Sequence, residues 1–123
     1  SKKVLGKFEE VENRVRSALG EGGFGVLTEI DVRETLKKKL DVQFRRYKIL
    51  GACNPTFAYQ ALQAEDKIGT MLPCSVIVQE IGPDEVEVAA IDPIASMQAV
   101  KNEALQPVAE QVQCKLKKVV DNV

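Results

Sequence analysis

Tyr47-Lys48-Ile49-Leu50-Gly51-Ala52-Cys53-Asn54-Pro55 reads as a strand that stops and turns at once into a helix. Tyr47, Ile49, Leu50 and Ala52 supply an apolar strand run. Asn54 is a preferred N-cap, and Pro55 suits the first helical position, where its missing N–H is not needed. Cys53 is therefore expected at a helix entrance, beside unpaired N–H groups and the positive end of the dipole. A thiolate, the nucleophilic and metal-binding form of cysteine, is favoured in such a place.

Working outward toward the C-terminus, the helix begun at Pro55 is predicted to reach Ala64, with Phe57, Ala58, Ala61 and Leu62 inward. Met71 to Glu80 reads as a strand whose later half is apolar on both faces, as a central strand would be. Pro73 cannot donate to a ladder, so that strand starts after it or bulges there. Gly82-Pro83-Asp84 is a turn, and the alternating Glu85 to Ile91 closes a hairpin. Asp92-Pro93 breaks it. A helix is then predicted from near Asn102 to Val120, with Leu105, Val108, Val112, Leu116 and Val119 on one stripe and Pro107 tolerated in its first turns.

Toward the N-terminus, Asp41 to Arg46 is a loop, and Val32, Leu36 and Leu40 fall one turn apart on a short helix. Phe24 to Val32 reads as a half-buried strand with Phe24, Val26, Ile30 and Val32 on one face and Glu29 and Asp31 on the other. Phe8, Val11, Val15, Ala18 and Leu19 mark a first helix from about Gly6 to Leu19, ended by Gly20, Gly22 and Gly23. A tight hairpin with amphipathic helices at both ends points to an α+β fold: a mostly antiparallel sheet with helices packed on one face.

The 123 residues are read as one domain, residues 1–123, long enough to bury a core without staples. A net charge of −1 gives no electrostatic case for a nucleic-acid partner. No apolar run approaches the roughly 20 residues of a membrane span, and no signal peptide is visible at the start, so a cytoplasmic, non-membrane protein is expected. Cys53, Cys74 and Cys114 form no C-x-x-C or zinc spacing, and an odd count suits free thiols in a reducing compartment. The chain has no histidine. That removes every Ser–His and Cys–His nucleophile pair, the commonest general base and most transition-metal sites. A non-enzymatic protein without a cofactor is expected.

Cys53 is the leading candidate for chemistry, against a plain role as a small buried apolar residue. Asn54 stands beside it. Cys74 approaches Cys53 if their strands are neighbours, and the pair is then able to bind a soft metal or form a reversible disulfide. Tyr47 is a candidate pocket residue. Cys114 lies off its helix's apolar stripe. Gly20-Glu21-Gly22-Gly23-Phe24-Gly25 spells G-x-G-x-x-G, but its order is helix then strand, which offers phosphate the wrong end of a dipole. Glu29, Asp31, Glu85, Glu87 and Asp92 suit a solvated face or caps better than a cation site. Lys37 to Lys39 and Arg45-Arg46 suit a solvated basic face.

Four stretches together resemble one family: Glu21 to Val32, Ile49-Leu50-Gly51-Ala52-Cys53-Asn54-Pro55, Leu72-Pro73-Cys74 and Ile91-Asp92-Pro93. The chain is similar, over nearly its whole length, to the domain of unknown function 302 family of bacterial and archaeal proteins. The resemblance implies a sheet with helices on one face, in the class of the TATA-box-binding-protein fold, and a tendency to form homodimers. It implies neither DNA binding nor any established activity. Such proteins usually begin with a strand before the first helix; here that strand is either missing or very short, around Val4 and Leu5. The function expected is ligand or partner binding by a regulatory homodimer, with thiol redox or soft-metal chemistry at Cys53 and Cys74 as the alternative.

Overall fold

In the computed structural model, which describes residues 1–98 and 100–123, the opening stretch forms strand β3 (Tyr47–Cys53) running directly into helix α3 (Pro55–Ala64). Asn54 caps α3 by accepting a hydrogen bond from the Phe57 N–H at 3.3 Å, and Pro55 occupies the first turn. Around β3 stand β1 (Lys2–Leu5), β2 (Gly25–Asp31), β4 (Cys74–Gly82) and β5 (Glu85–Ala90). They form a five-stranded sheet in the order β1-β5-β4-β3-β2, antiparallel at every pairing.

The helices are α1 (Phe8–Glu21), α2 (Val32–Leu40), α3, α4 (Pro93–Met97) and α5 (Gln106–Asp121). The sheet turns one face to α1 and α5. Val4, Leu50, Ala52, Cys74, Val76, Val78, Val86 and Val88 are all buried on that face. Phe8, Val11, Val15 and Leu19 of α1 meet them, with Val108, Val112, Leu116 and Val119 of α5. Each such side chain contributes about 1.5–3 kcal/mol of transfer free energy. The apolar stripes read from the sequence are thus the seams of the core, and β4 is the middle strand.

The other face carries no fully buried side chain among the described residues. Ile30, Ile49, Ile77 and Ala89 are partners across four neighbouring strands and form a continuous apolar row on it.

Several boundaries differ from expectation. The first strand exists and is short: β1 pairs with β5, Val4 opposite Val86, and takes the sheet edge. In β2 the register slips between Val26 and Thr28. That bulge leaves Leu27 unpaired and inverts the alternation beyond it. Val26 faces the helices opposite Ala52, whereas Ile30 faces away opposite Ile49. Glu29, opposite Leu50, turns to the helix side. β4 begins at Cys74 because Asp66–Met71 is a 3-10 segment and Pro73 precedes the ladder. The terminal helix begins at Gln106 after a 3-10 turn at Glu103–Leu105, so Pro107 lies in its first turn. Asp92-Pro93 does more than break β5. Asp92 caps α4 by accepting hydrogen bonds from the Ile94 and Ala95 N–H groups at 3.0 and 3.4 Å. It repeats the Asn54-Pro55 signature.

Candidate functional site

Cys53 closes β3, and the next residue caps α3, so the strand's end and the helix's start fix its position together. On the neighbouring strand Cys74 stands opposite Ala52, one residue from Cys53. Cys53 and Cys74 are both among the residues that line one cleft at this end of the sheet. Ala52 and Leu72 form its floor; Phe57 and Ala61 of α3, Met97 of α4, and Val108 and Val112 of α5 complete the walls. The open volume is about 20 Å³, close to the space one water molecule needs. Cys53 is half-buried and Cys74 buried, while Cys114 is exposed on α5; all three are free thiols. Burial pushes the Cys74 thiol pKa up, and the neighbouring Cys53 adds to the rise. Removing an anion from water in an apolar wall, close to a second potential anion, favours the protonated form.

Of the other candidates, Asn54 lines the same cleft, its side-chain oxygen engaged as the cap. Tyr47 does not reach it. It lies at the opposite end of β3, about 20 Å away by strand rise, packed against Phe44 with ring centres 6.3 Å apart. The Arg45 guanidinium lies over both rings.

The carboxylates do not converge. Asp31 caps α2 through the Glu34 N–H at 3.0 Å, Glu87 accepts a bond from Gln79, and Asp92 accepts one from Gln113 at 2.9 Å. Among the described residues no three histidine, cysteine, aspartate or glutamate side chains gather as metal ligands. The basic segment is largely paired: Lys37 with Asp41, Lys38 with Glu34, Arg46 with Glu9. The G-x-G-x-x-G run lies where α1 ends and β2 begins; Gly23, with φ of +83°, takes the left-handed turn.

A second cluster escaped the sequence reading. Glu12 of α1 is only 7% exposed. It accepts hydrogen bonds from Arg16 at 2.9 and 3.0 Å and from Lys48 at 3.2 Å, and both cations also pair with Glu29. Burial alone works to raise the Glu12 pKa, but the Arg16 and Lys48 hydrogen bonds and charges together outweigh it and hold the carboxyl below its usual range. Burial likewise works against the Lys48 ammonium, yet its bonds and charges with Glu12 and Glu29 raise its pKa. The bulge in β2 is what brings Glu29 there. Leu72 and Phe24 line the cleft from within the stretches that carry the family resemblance, whereas no sequence motif marks Met97, for which the Asp92-Pro93 cap is the available signal.

Fold and cleft together define a small α+β protein: an antiparallel sheet, helices on one face, and a narrow apolar cleft with two thiols at one sheet end. The family model described as Domain of unknown function DUF302 matches residues 1–123, and the chain belongs to that family. The crystal structure of an uncharacterized conserved DUF302 protein from Bacillus stearothermophilus is similar, with a TM-score of 0.87 and 26% identity over 98% of this chain and 95% of that one. Among curated proteins none matches the chain. No helix among the described residues is long and apolar enough to cross a membrane.

Proposed function

We propose that this protein is a non-catalytic, partner-binding regulatory module that works as a homodimer in the cytoplasm, joined through the uncovered sheet face. The observation that carries this reading is the row Ile30–Ile49–Ile77–Ala89 on the sheet face that holds no fully buried side chain among the described residues. Antiparallel sheets that face water usually present polar side chains there, and a contiguous apolar patch marks an interaction surface. Five strands at about 4.8 Å spacing and about 20 Å length give a face of order 500 Å² before side-chain relief. That is a large part of the roughly 800 Å² each partner contributes to a standard interface. The absence of histidine and the use of Asp31 and Asp92 as caps support a non-catalytic role. The free thiols suit a reducing compartment.

Light scattering across a concentration series tests the dimer. The expected result is doubled mass for the native chain and monomer mass for Ile77→Glu, which places a charge mid-row. A native chain that stays monomeric at high concentration overturns the reading.

A second reading, thiol redox or soft-metal binding, is favoured by one observation: Cys53 and Cys74 line the same cleft. Alkylation followed by peptide mapping tests it. If both thiols stay inert until the chain unfolds, this reading fails.

A further inference from the structure

The cleft's volume decides what it is able to hold. About 20 Å³ is room for a guest the size of a single atom or a water. Water is a poor occupant, because a buried water needs two to four polar partners. The wall is apolar apart from the thiols and Asn54, whose carbonyl oxygen is already bonded to the Phe57 N–H. Three sulfur-bearing residues stand on that wall: Cys53, Cys74 and, from α4, Met97.

We propose that Cys53, Cys74 and Met97 hold one Cu(I) ion in this cleft. The inference rests on the thiol reading above and names its ligand. Soft thiolate and thioether donors select Cu(I), whereas zinc asks for four nitrogen, oxygen or sulfur ligands, and this wall has neither imidazole nor carboxylate. Binding is a proton-for-metal exchange without redox change: two S–H bonds break, two Cu–S bonds form, two protons leave to solvent, and Met97 donates a sulfur lone pair. The resulting unit carries one net negative charge. It sits where α3 begins, and a helix N-terminus favours negative charge.

The test is anaerobic titration of the purified full chain against the coloured Cu(I)–bicinchoninate complex. The expected result is removal of one equivalent of Cu(I), with Cys53→Ser abolishing the effect and Cys114→Ser leaving it unchanged. Met97→Leu keeps volume and apolar character, so the core survives it. It is expected to weaken retention at least about tenfold, the low end for a residue supporting a metal site. Colour untouched by the native chain, or retention equal to native in Cys53→Ser or Met97→Leu, overturns the proposal. If Cys53 and Cys74 alkylate in the folded chain yet no copper is removed, the metal inference falls while the thiol reading stands.

Discussion

Glu12→Gln isolates the contribution of a buried charge to this fold. The substitution keeps the shape of the side chain and one acceptor oxygen but removes the charge and turns an NH₂ group toward Arg16 and Lys48. Two measures bound the cost. A hydrogen bond to a charged group is worth about 1.5–3 kcal/mol, and breaking a fully buried ion pair costs about 3–5 kcal/mol. The pair here is not fully buried: the Arg16 and Lys48 side chains are 34% and 22% exposed. Glu29 remains as a partner to both cations. The expected loss is therefore near the lower measure, about 2 kcal/mol, or about 8 °C in melting temperature for a chain of this size. Its pH dependence has a definite sign. The folded Glu12 pKa is depressed, so its stabilisation is complete above the unfolded carboxylate value of about 4.3 and is lost as pH falls through the lower folded value. Lys48, raised in the folded state, contributes fully below the ordinary lysine value of about 10.4 and loses that contribution only as pH rises through its higher folded value. Urea melts of native and variant chains at pH 7 and pH 3 measure both effects. The gap should be wide at pH 7 and should shrink at pH 3. A gap of equal size at the two values, or none at pH 7, would refute the assignment of the effect to charge.

Gly51→Ala should cost about 1–3 kcal/mol by overpacking, because a Cβ there meets the Thr28 side chain and lies 2.7 Å from Pro73 Cγ; Thr28→Gly should restore part of the loss in the same urea melts. Asp92→Ala removes the α4 cap and the bond to Gln113, for about 1 kcal/mol, read as a lower thermal midpoint. Alkylation by iodoacetamide followed by peptide mapping should modify exposed Cys114 before buried Cys74. The Cys74 rate should rise with pH about a midpoint above the ordinary thiol value of about 8.5, since burial and Cys53 raise its pKa; a midpoint at or below that value contradicts the burial.

Where local chemistry decides structure, the sequence was sufficient. Asn54-Pro55 carries its own cap and its own φ, so the β3–α3 junction and the place of Cys53 could be read directly. The stripes of α1 and α5 needed only the helical period. What alternation could not reveal was the bulge at Leu27. It depends on how β2 settles against β3, and it sent Ile30 and Glu29 to the faces opposite those read from the sequence. The same slip hid the Glu12 cluster, whose members are separated by up to 36 positions between Glu12 and Lys48. Such a meeting is a property of topology, not of any local pattern. Met97 escapes the sequence for another reason: Asp92 suits a cap, but the helix it starts has five residues, too few for a period to announce it.

That last point bears on how the cleft is made. Two acid-or-amide–proline junctions begin a helix close behind a strand, Asn54-Pro55 immediately after β3 and Asp92-Pro93 one residue after β5, and these two strands flank β4. Each junction commits the chain to helix with a side-chain cap and a fixed φ, so neither helix relies on length or propensity to start. This matters most for α4, whose five residues are too few to be stable alone. Cys53 lies immediately before one junction and Met97 at the end of the helix started by the other, while Cys74 opens the strand between them. The two caps thus place three sulfur-bearing residues on the lining of one small cleft. Side chains of similar volume without sulfur would fill the same positions with no loss of core, so the geometry of the caps and the identity of the three residues are separable. Substitutions that change only one of them tell a ligand site from a packing gap.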